Sequence, residues 1–154
     1  MNQNKWARPI DILLVEDNPG DVRLTREAFK LNKINNNLHV VTDGVEAIDF
    51  LFQNGAYQDA PHPDLILLDL NLPKKTGHEV LEEIKQDNKL RRLPVIILTT
   101  SQAEEDVFKT YNLHANCYIN KPADFDQFMK SIRLIGEFWL TIVQLPTTGT
   151  NDNV

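Results

Sequence analysis

Asp69 stands where an apolar run, Leu65 to Leu68, gives out, with Asn71, Pro73 and Gly77 behind it. A run that short, without helical period and bounded by Pro61 and Pro63 before it and Pro73 and Gly77 after it, reads as a strand buried on both faces. A carboxylate just past the carboxyl end of such a strand sits where open α/β sheets place their ligands. The same Asp would serve equally as a turn residue ahead of a helix near Gly77. Three further runs end in polar groups of complementary chemistry. Ile10 to Val15 gives way to Glu16 and Asp17, Val95 to Leu98 to Thr99, and Cys117 to Ile119 to Asn120 and Lys121. Singly, each has an ordinary role as a cap, a strand residue or a solvated charge. Jointly, they supply each group needed for phosphoryl transfer to a carboxylate. Asp69 would be the nucleophile. Asp17, Asp69 and the main-chain carbonyl of Asn71 would hold Mg²⁺, with Glu16 reaching it through a metal-held water, since this ion keeps much of its water and takes one or two carboxylates. The Thr99 hydroxyl and the Lys121 ammonium would join the ion in offsetting charge on the incoming phosphoryl oxygens.

These groups converge only if their strands are parallel and share one edge. The pattern predicts a helix from about Asp21 to Lys33, with Leu24, Ala28 and Leu31 on one face, after a turn at Asn18 to Gly20. A short strand follows at Leu38 to Val41, then a turn at Asp43 and Gly44. A second helix, Val45 to Gln53, carries Ala47, Ile48, Leu51 and Phe52. Asn54 to Pro63 is a surface loop. A third helix, His78 to Gln86, buries Val80, Leu81 and Ile84. A fourth opens at Glu104 to Asp106, where carboxylates meet the positive end of the helix dipole. Asp124 and Gln127 resemble a capping box for a last helix reaching Gln144. Strand and helix alternate five times, which implies a parallel sheet with helices on both faces.

The chain has 154 residues, enough for one domain with a proper core. The expected organisation is a flexible arm over 1–9, one domain over 10–145 and a flexible tail over 146–154. No apolar run approaches the roughly 20 residues of a membrane span, and the polar start MNQNKWARP has no signal-peptide core. Cys117 is the only cysteine, so no intrachain disulfide forms, which fits a cytoplasmic protein. A net charge of −6 disfavours nucleic-acid binding. Lys74, Lys75, Lys85, Lys89, Arg91 and Arg92 read as a solvated surface around the third helix.

Glu16-Asp17, Asp69 with Pro73 and Gly77 behind it, Thr99 and Lys121-Pro122 resemble the receiver-domain pattern of two-component response regulators. The likeness covers about Ile10 to Gln144. It implies a flavodoxin-like, doubly wound five-stranded parallel sheet of order 2-1-3-4-5. It also implies that a histidine kinase phosphorylates Asp69, that the Lys121-Pro122 bond is cis, and that Tyr118 and Thr99 act as a switch pair. NLPKKTGHEVLEEIKQD, LPVIILTTS, NCYINKP and EFWLTIVQLP further resemble the single-domain regulators that serve cyanobacterial phytochromes. The implied kinase is then a phytochrome, and the output is protein contact or hand-off to a phosphotransfer protein. Ala123 departs from the family, which often carries Phe there.

Other readings fit less well. A haloacid-dehalogenase-type phosphatase needs a second carboxylate two residues after the nucleophile, and Asn71 stands there. A flavin carrier needs a phosphate-cradling loop after the first strand, where Glu16 and Asp17 would repel the phosphate. A receiver-fold adaptor or dimerisation module that works without phosphorylation would have no use for the complete acceptor set.

The last helix carries two apolar stripes. Phe125, Phe128, Met129, Ile132, Ile135 and Trp139 suffice to cover the sheet. Leu134, Phe138 and Leu145 follow helical spacing on roughly the opposite side, at about 100° per residue. That second stripe predicts a homodimer, the commonest closed solution for such a patch, unless the end of the helix folds back on its own domain.

Overall fold

In the computed structural model, which describes residues 8–99, 117–120 and 125–137, the apolar runs are strands. They are β1 (Ile10–Val15), β2 (Asn36–Val41), β3 (Leu65–Asp69), β4 (Val95–Thr99) and β5 (Cys117–Asn120). They form one sheet of order β2-β1-β3-β4-β5, and each neighbouring pair is parallel. The helices between them are α1 (Pro19–Leu31), α2 (Gly44–Phe52) and α3 (Gly77–Gln86), and a further helix covers 125–137.

The period of two along each strand divides the core into two layers. Leu13 and Val15 of β1 face the layer that holds Ala47 and Leu51 of α2 and Val80, Leu81 and Ile84 of α3. Ile10, Ile12 and Leu14 face the other, with Ala28 and Phe29 of α1 and Phe128, Ile132 and Ile135 of the 125–137 helix. β3 and β4 are buried at all five positions of each, as strands covered on both faces must be.

The helices begin earlier than their apolar spacing suggests, because the caps decide the start. Asn18 accepts a hydrogen bond from the Asp21 N–H at 3.0 Å, and Pro19 occupies the first turn, where its fixed φ and missing donor cost nothing. The Asn18–Gly20 turn is therefore the beginning of α1. Asp43 caps α2 through the Glu46 N–H at 2.8 Å. Thr76 and Glu79 cap α3 reciprocally, each side chain accepting from the other's backbone N–H. β2 starts at Asn36, two residues before the expected Leu38, because pairing with β1 supplies bonds that Asn propensity does not foresee.

Three apolar assignments change. Leu31 is 56% exposed at the end of α1, and Phe29 is buried in its place. Phe52, the last residue of α2, is 39% exposed, while Phe50 is buried and its ring lies 5.6 Å from His39 and 5.5 Å from Tyr57. Phe125 is exposed at the start of the 125–137 helix, and Phe128, Ile132 and Ile135 do the covering. Leu31 and Phe52 are the last residues of their helices, and Phe125 is the first described residue of its own. Trp139 and the fourth helix expected from Glu104 lie outside the described residues. Lys75 departs from a purely solvated role, since its ammonium pairs with Glu83 of α3. Among the described residues no helix is long and apolar enough to cross a membrane.

Candidate functional site

Val15 pairs with Leu68 in the β1–β3 ladder, so Glu16 and Asp69 leave adjacent strands side by side. Glu16 stays in the sheet direction for one residue more, its N–H donating to the Val41 carbonyl at 3.0 Å. Oxygen atoms of Glu16, Asp17 and Asp69, one from each, all lie within 4.8 Å of one another. Glu16 and Asp69 are buried, and Asp17 is exposed. Glu16 Oε2 accepts from the Asn18 N–H at 3.2 Å, and Asp69 Oδ1 accepts from the Asn71 N–H at 3.1 Å.

Three carboxylates this close repel one another, and burial of two of them strengthens the repulsion. An all-oxygen donor set open to solvent on one side fits a hard divalent cation such as Mg²⁺ or Mn²⁺. The fit follows from the donors present and from the solvent-facing position of Asp17.

Asp69 pairs with Leu98 across β3 and β4, so Thr99 is one step further along the same edge. Thr99 is fully buried. Thr99 in turn pairs with Asn120 of β5, and Lys121 is the next residue in the chain. Lys121 itself, with Pro122 and the expected cis bond between them, lies outside the described residues. The backbone of Tyr118 pairs with Ile97, while its side chain lies outside the described part. The edge thus brings together Glu16, Asp17, Asp69 and Thr99. Asn71 follows in the loop after β3, its side chain exposed.

That loop, residues 70–76, is held more firmly than its turn residues suggest. Leu70 and Leu72 are anchored in the core. Gly77 donates its N–H to the Leu70 carbonyl at 3.2 Å, and a Cβ there would stand 2.9 Å from the Leu70 Cα. In the sequence, Gly77 and the Asp43-Gly44 pair stand out only as turn residues. The structure makes both glycines places where a backbone passes too close for any side chain. Asp43 is buried, and the Glu46 backbone N–H holds its carboxyl below its ordinary 3.8, with Lys74 adding to the effect. The Thr76-x-x-Glu79 spacing ahead of an apolar helix was the available sequence signal for the α3 cap.

A doubly wound parallel sheet with an acidic trio and a buried Thr at one strand edge defines a class. The response regulator receiver domain model matches residues 12–133, and the chain belongs to that family of two-component signalling proteins. It is 50% identical over 138 residues to the response regulator Rcp1 of Synechocystis sp., covering 90% of this chain and 94% of that one. It also resembles the crystal structure of the phosphorylated cyanobacterial phytochrome response regulator RcpA, with a TM-score of 0.78 and 49% identity over 88% of this chain and 97% of that chain. The Mn²⁺-bound form of Rcp1 is similar, with a TM-score of 0.77 and 49% identity over 88% and 98%.

Proposed function

We propose that this chain accepts a phosphoryl group on Asp69 from a histidine kinase of the phytochrome class, with Mg²⁺ held in the acidic trio. The observation that carries this reading is the clustering of the Glu16, Asp17 and Asp69 oxygens within 4.8 Å at the carboxyl edge of the sheet. A carboxylate oxygen of Asp69 attacks the phosphorus of a phosphohistidine. The P–N bond breaks, and the imidazole nitrogen keeps its electron pair and takes up a proton. Asp17, Asp69 and the Asn71 main-chain carbonyl would hold the metal, and Glu16 would contribute from its outer shell. When bound, the ion supplies positive charge to the phosphoryl oxygens. The Thr99 hydroxyl donates to one of those oxygens and Lys121 pairs with another. Movement of Thr99 leaves space for Tyr118 to turn inward, and this switch alters the adjacent surface.

The protein is a signalling component whose chemistry is confined to its own phosphorylation and dephosphorylation. It works in the cytoplasm, by protein contact or by hand-off to a phosphotransfer protein. Leu134 is 61% exposed on the 125–137 helix, which supports pairing of two copies through the stripe it shares with Phe138 and Leu145, both outside the described residues. The similarity to Rcp1 and RcpA supports the phytochrome partner.

Intact-protein mass spectrometry after incubation with Mg²⁺ and a small phosphodonor tests the assignment. The wild-type chain should gain one hydroxylamine-labile phosphoryl group, and Asp69→Asn should gain none. Equal labelling of the two would remove Asp69 from its role. No labelling of either, even from a phosphorylated kinase, would favour an adaptor that works without phosphate.

A further inference from the structure

The loop after Asp69 is fastened to the start of α2. The Gly44 N–H faces the Pro73 carbonyl at 3.5 Å, and Pro73 also accepts from the Lys75 N–H at 2.7 Å. A Cβ at Gly44 would lie 2.6 Å from the Lys75 Cβ and 2.7 Å from its carbonyl carbon, so no side chain fits without displacing the loop. The Lys74 ammonium stands 3.4 Å from Asp43 Oδ2, while Oδ1 of the same carboxylate caps α2.

Lys74 has a left-handed backbone, φ 68°. Gly or Asn is the ordinary choice there, because a Cβ costs energy in that region. A lysine kept in that conformation, with its ammonium on a buried carboxylate, marks a conflict between local preference and the surrounding structure. Such conflicts concentrate at sites where geometry matters to function. Asn71 lies three residues before Lys74, so a shift of the fastening is transmitted through a short, doubly anchored stretch of chain.

We infer that Asp43, Gly44 and Lys74 are positioning residues for the divalent-cation site. They hold the loop so that the Asn71 main-chain carbonyl stands beside the acidic trio. This inference rests on the reading that Asn71 and the trio bind Mg²⁺. Residues that orient metal ligands from behind commonly change affinity by about 10- to 100-fold when removed.

The fastening can be separated from plain electrostatics by its sign. If Lys74 acted only as a nearby positive charge, its removal would tighten cation binding and removal of Asp43 would loosen it. A mechanical fastening predicts that both removals loosen it. Asp43→Asn keeps a side-chain oxygen for the α2 cap, and Gly44→Ala changes no charge.

The experiment is isothermal titration of the full chain with MgCl₂, together with melting of the metal-free protein. Wild type, Asp43→Asn, Lys74→Met, the double variant of those two, Lys74→Arg and Gly44→Ala are compared. Asp43→Asn, Lys74→Met and Gly44→Ala should each weaken Mg²⁺ binding about tenfold. The double variant should be no weaker than the worse single one, and Lys74→Arg should restore most of the affinity. If Gly44→Ala does not fold, the Asp43–Lys74 pair decides the matter. Wild-type or tighter binding by Lys74→Met, or lowered melting temperatures with unchanged affinities, overturns the inference alone. If the wild-type chain binds no Mg²⁺, the metal reading itself fails and the inference falls with it.

Discussion

Val15 lies opposite Leu68 in the parallel ladder between β1 and β3. From that register it follows that the residues one step on, Glu16 and Asp69, are neighbours, while Asp17, the next residue, is the exposed member of the trio. Their roles toward a cation should differ accordingly. Asp17→Ala should weaken Mg²⁺ binding more than Glu16→Ala. Glu16→Ala should lower the melting temperature more, because it also removes the acceptor of the Asn18 N–H. Titration and melting of the two variants check this, and the reverse ranking in affinity would exchange their roles.

Crowding three carboxylates opposes folding when no cation is present. Asp17→Asn should stabilise the metal-free protein, by about 1 kcal/mol for an exposed charge at this spacing. The advantage should vanish or reverse in saturating Mg²⁺, which stabilises wild type by about 2.7 kcal/mol at a hundred times its dissociation constant. Denaturant unfolding with and without MgCl₂ measures both. A metal-free variant no more stable than wild type would count against the repulsion.

Part of the stability should be lost in acid, for reasons outside the metal site. The Glu46 backbone N–H holds Asp43 below its ordinary 3.8, and the Thr76 backbone N–H holds Glu79 below its ordinary 4.5. Groups depressed on folding contribute stability above their unfolded values, and that contribution is lost as pH falls through the folded ones. The stability that Asp43 and Glu79 contribute to the metal-free protein should therefore be lost as pH drops below about 4.5, against the relief of repulsion as the trio is protonated. Asp43→Asn, which cannot titrate, should show a shallower decline in melting temperature over the same range. Parallel curves for the two proteins would discount Asp43.

Among the described residues, Leu134 is the most exposed of the large apolar side chains, at 61%. On the dimer reading, Leu134→Glu should yield a folded monomer in sedimentation, with Phe128, Ile132 and Ile135 still closing the core. The wild-type chain should sediment as a dimer at micromolar concentration. A monomeric wild type, with and without phosphorylation, would rule out pairing through this helix.

The strands were legible because burial on both faces leaves an unmistakable trace. β1 has the expected bounds, and β3 and β4 each extend one residue to include the polar group at their end. The placement of the candidate site residues at one strand edge was legible for the same reason. Glu16, Asp17, Asp69 and Thr99 end apolar runs at or just past the last residue of a strand, and polar groups at shared strand ends invite one chemical explanation.

Which face a helix buries was less legible. Leu31, Phe52 and Phe125 satisfy the apolar spacing yet are exposed at the ends of the described helices, while Phe29 and Phe50 take the buried positions. Periodicity identifies an amphipathic helix, but the docking angle and the length of the sheet beneath it decide which end residues are covered. The support of the 70–76 loop was illegible altogether. Asp43 and Lys74 are distant in sequence, and their pairing follows from the approach of α2 to the loop behind β3. Alternating apolar runs and the residues that end them thus determined the sheet, its two-sided covering and the identity of the acidic trio. Only tertiary structure decided the register that sets Glu16 against Asp69 and the backbone contact that leaves no room for a side chain at Gly44. Both depend on distances between segments far apart in the chain, which no local pattern encodes.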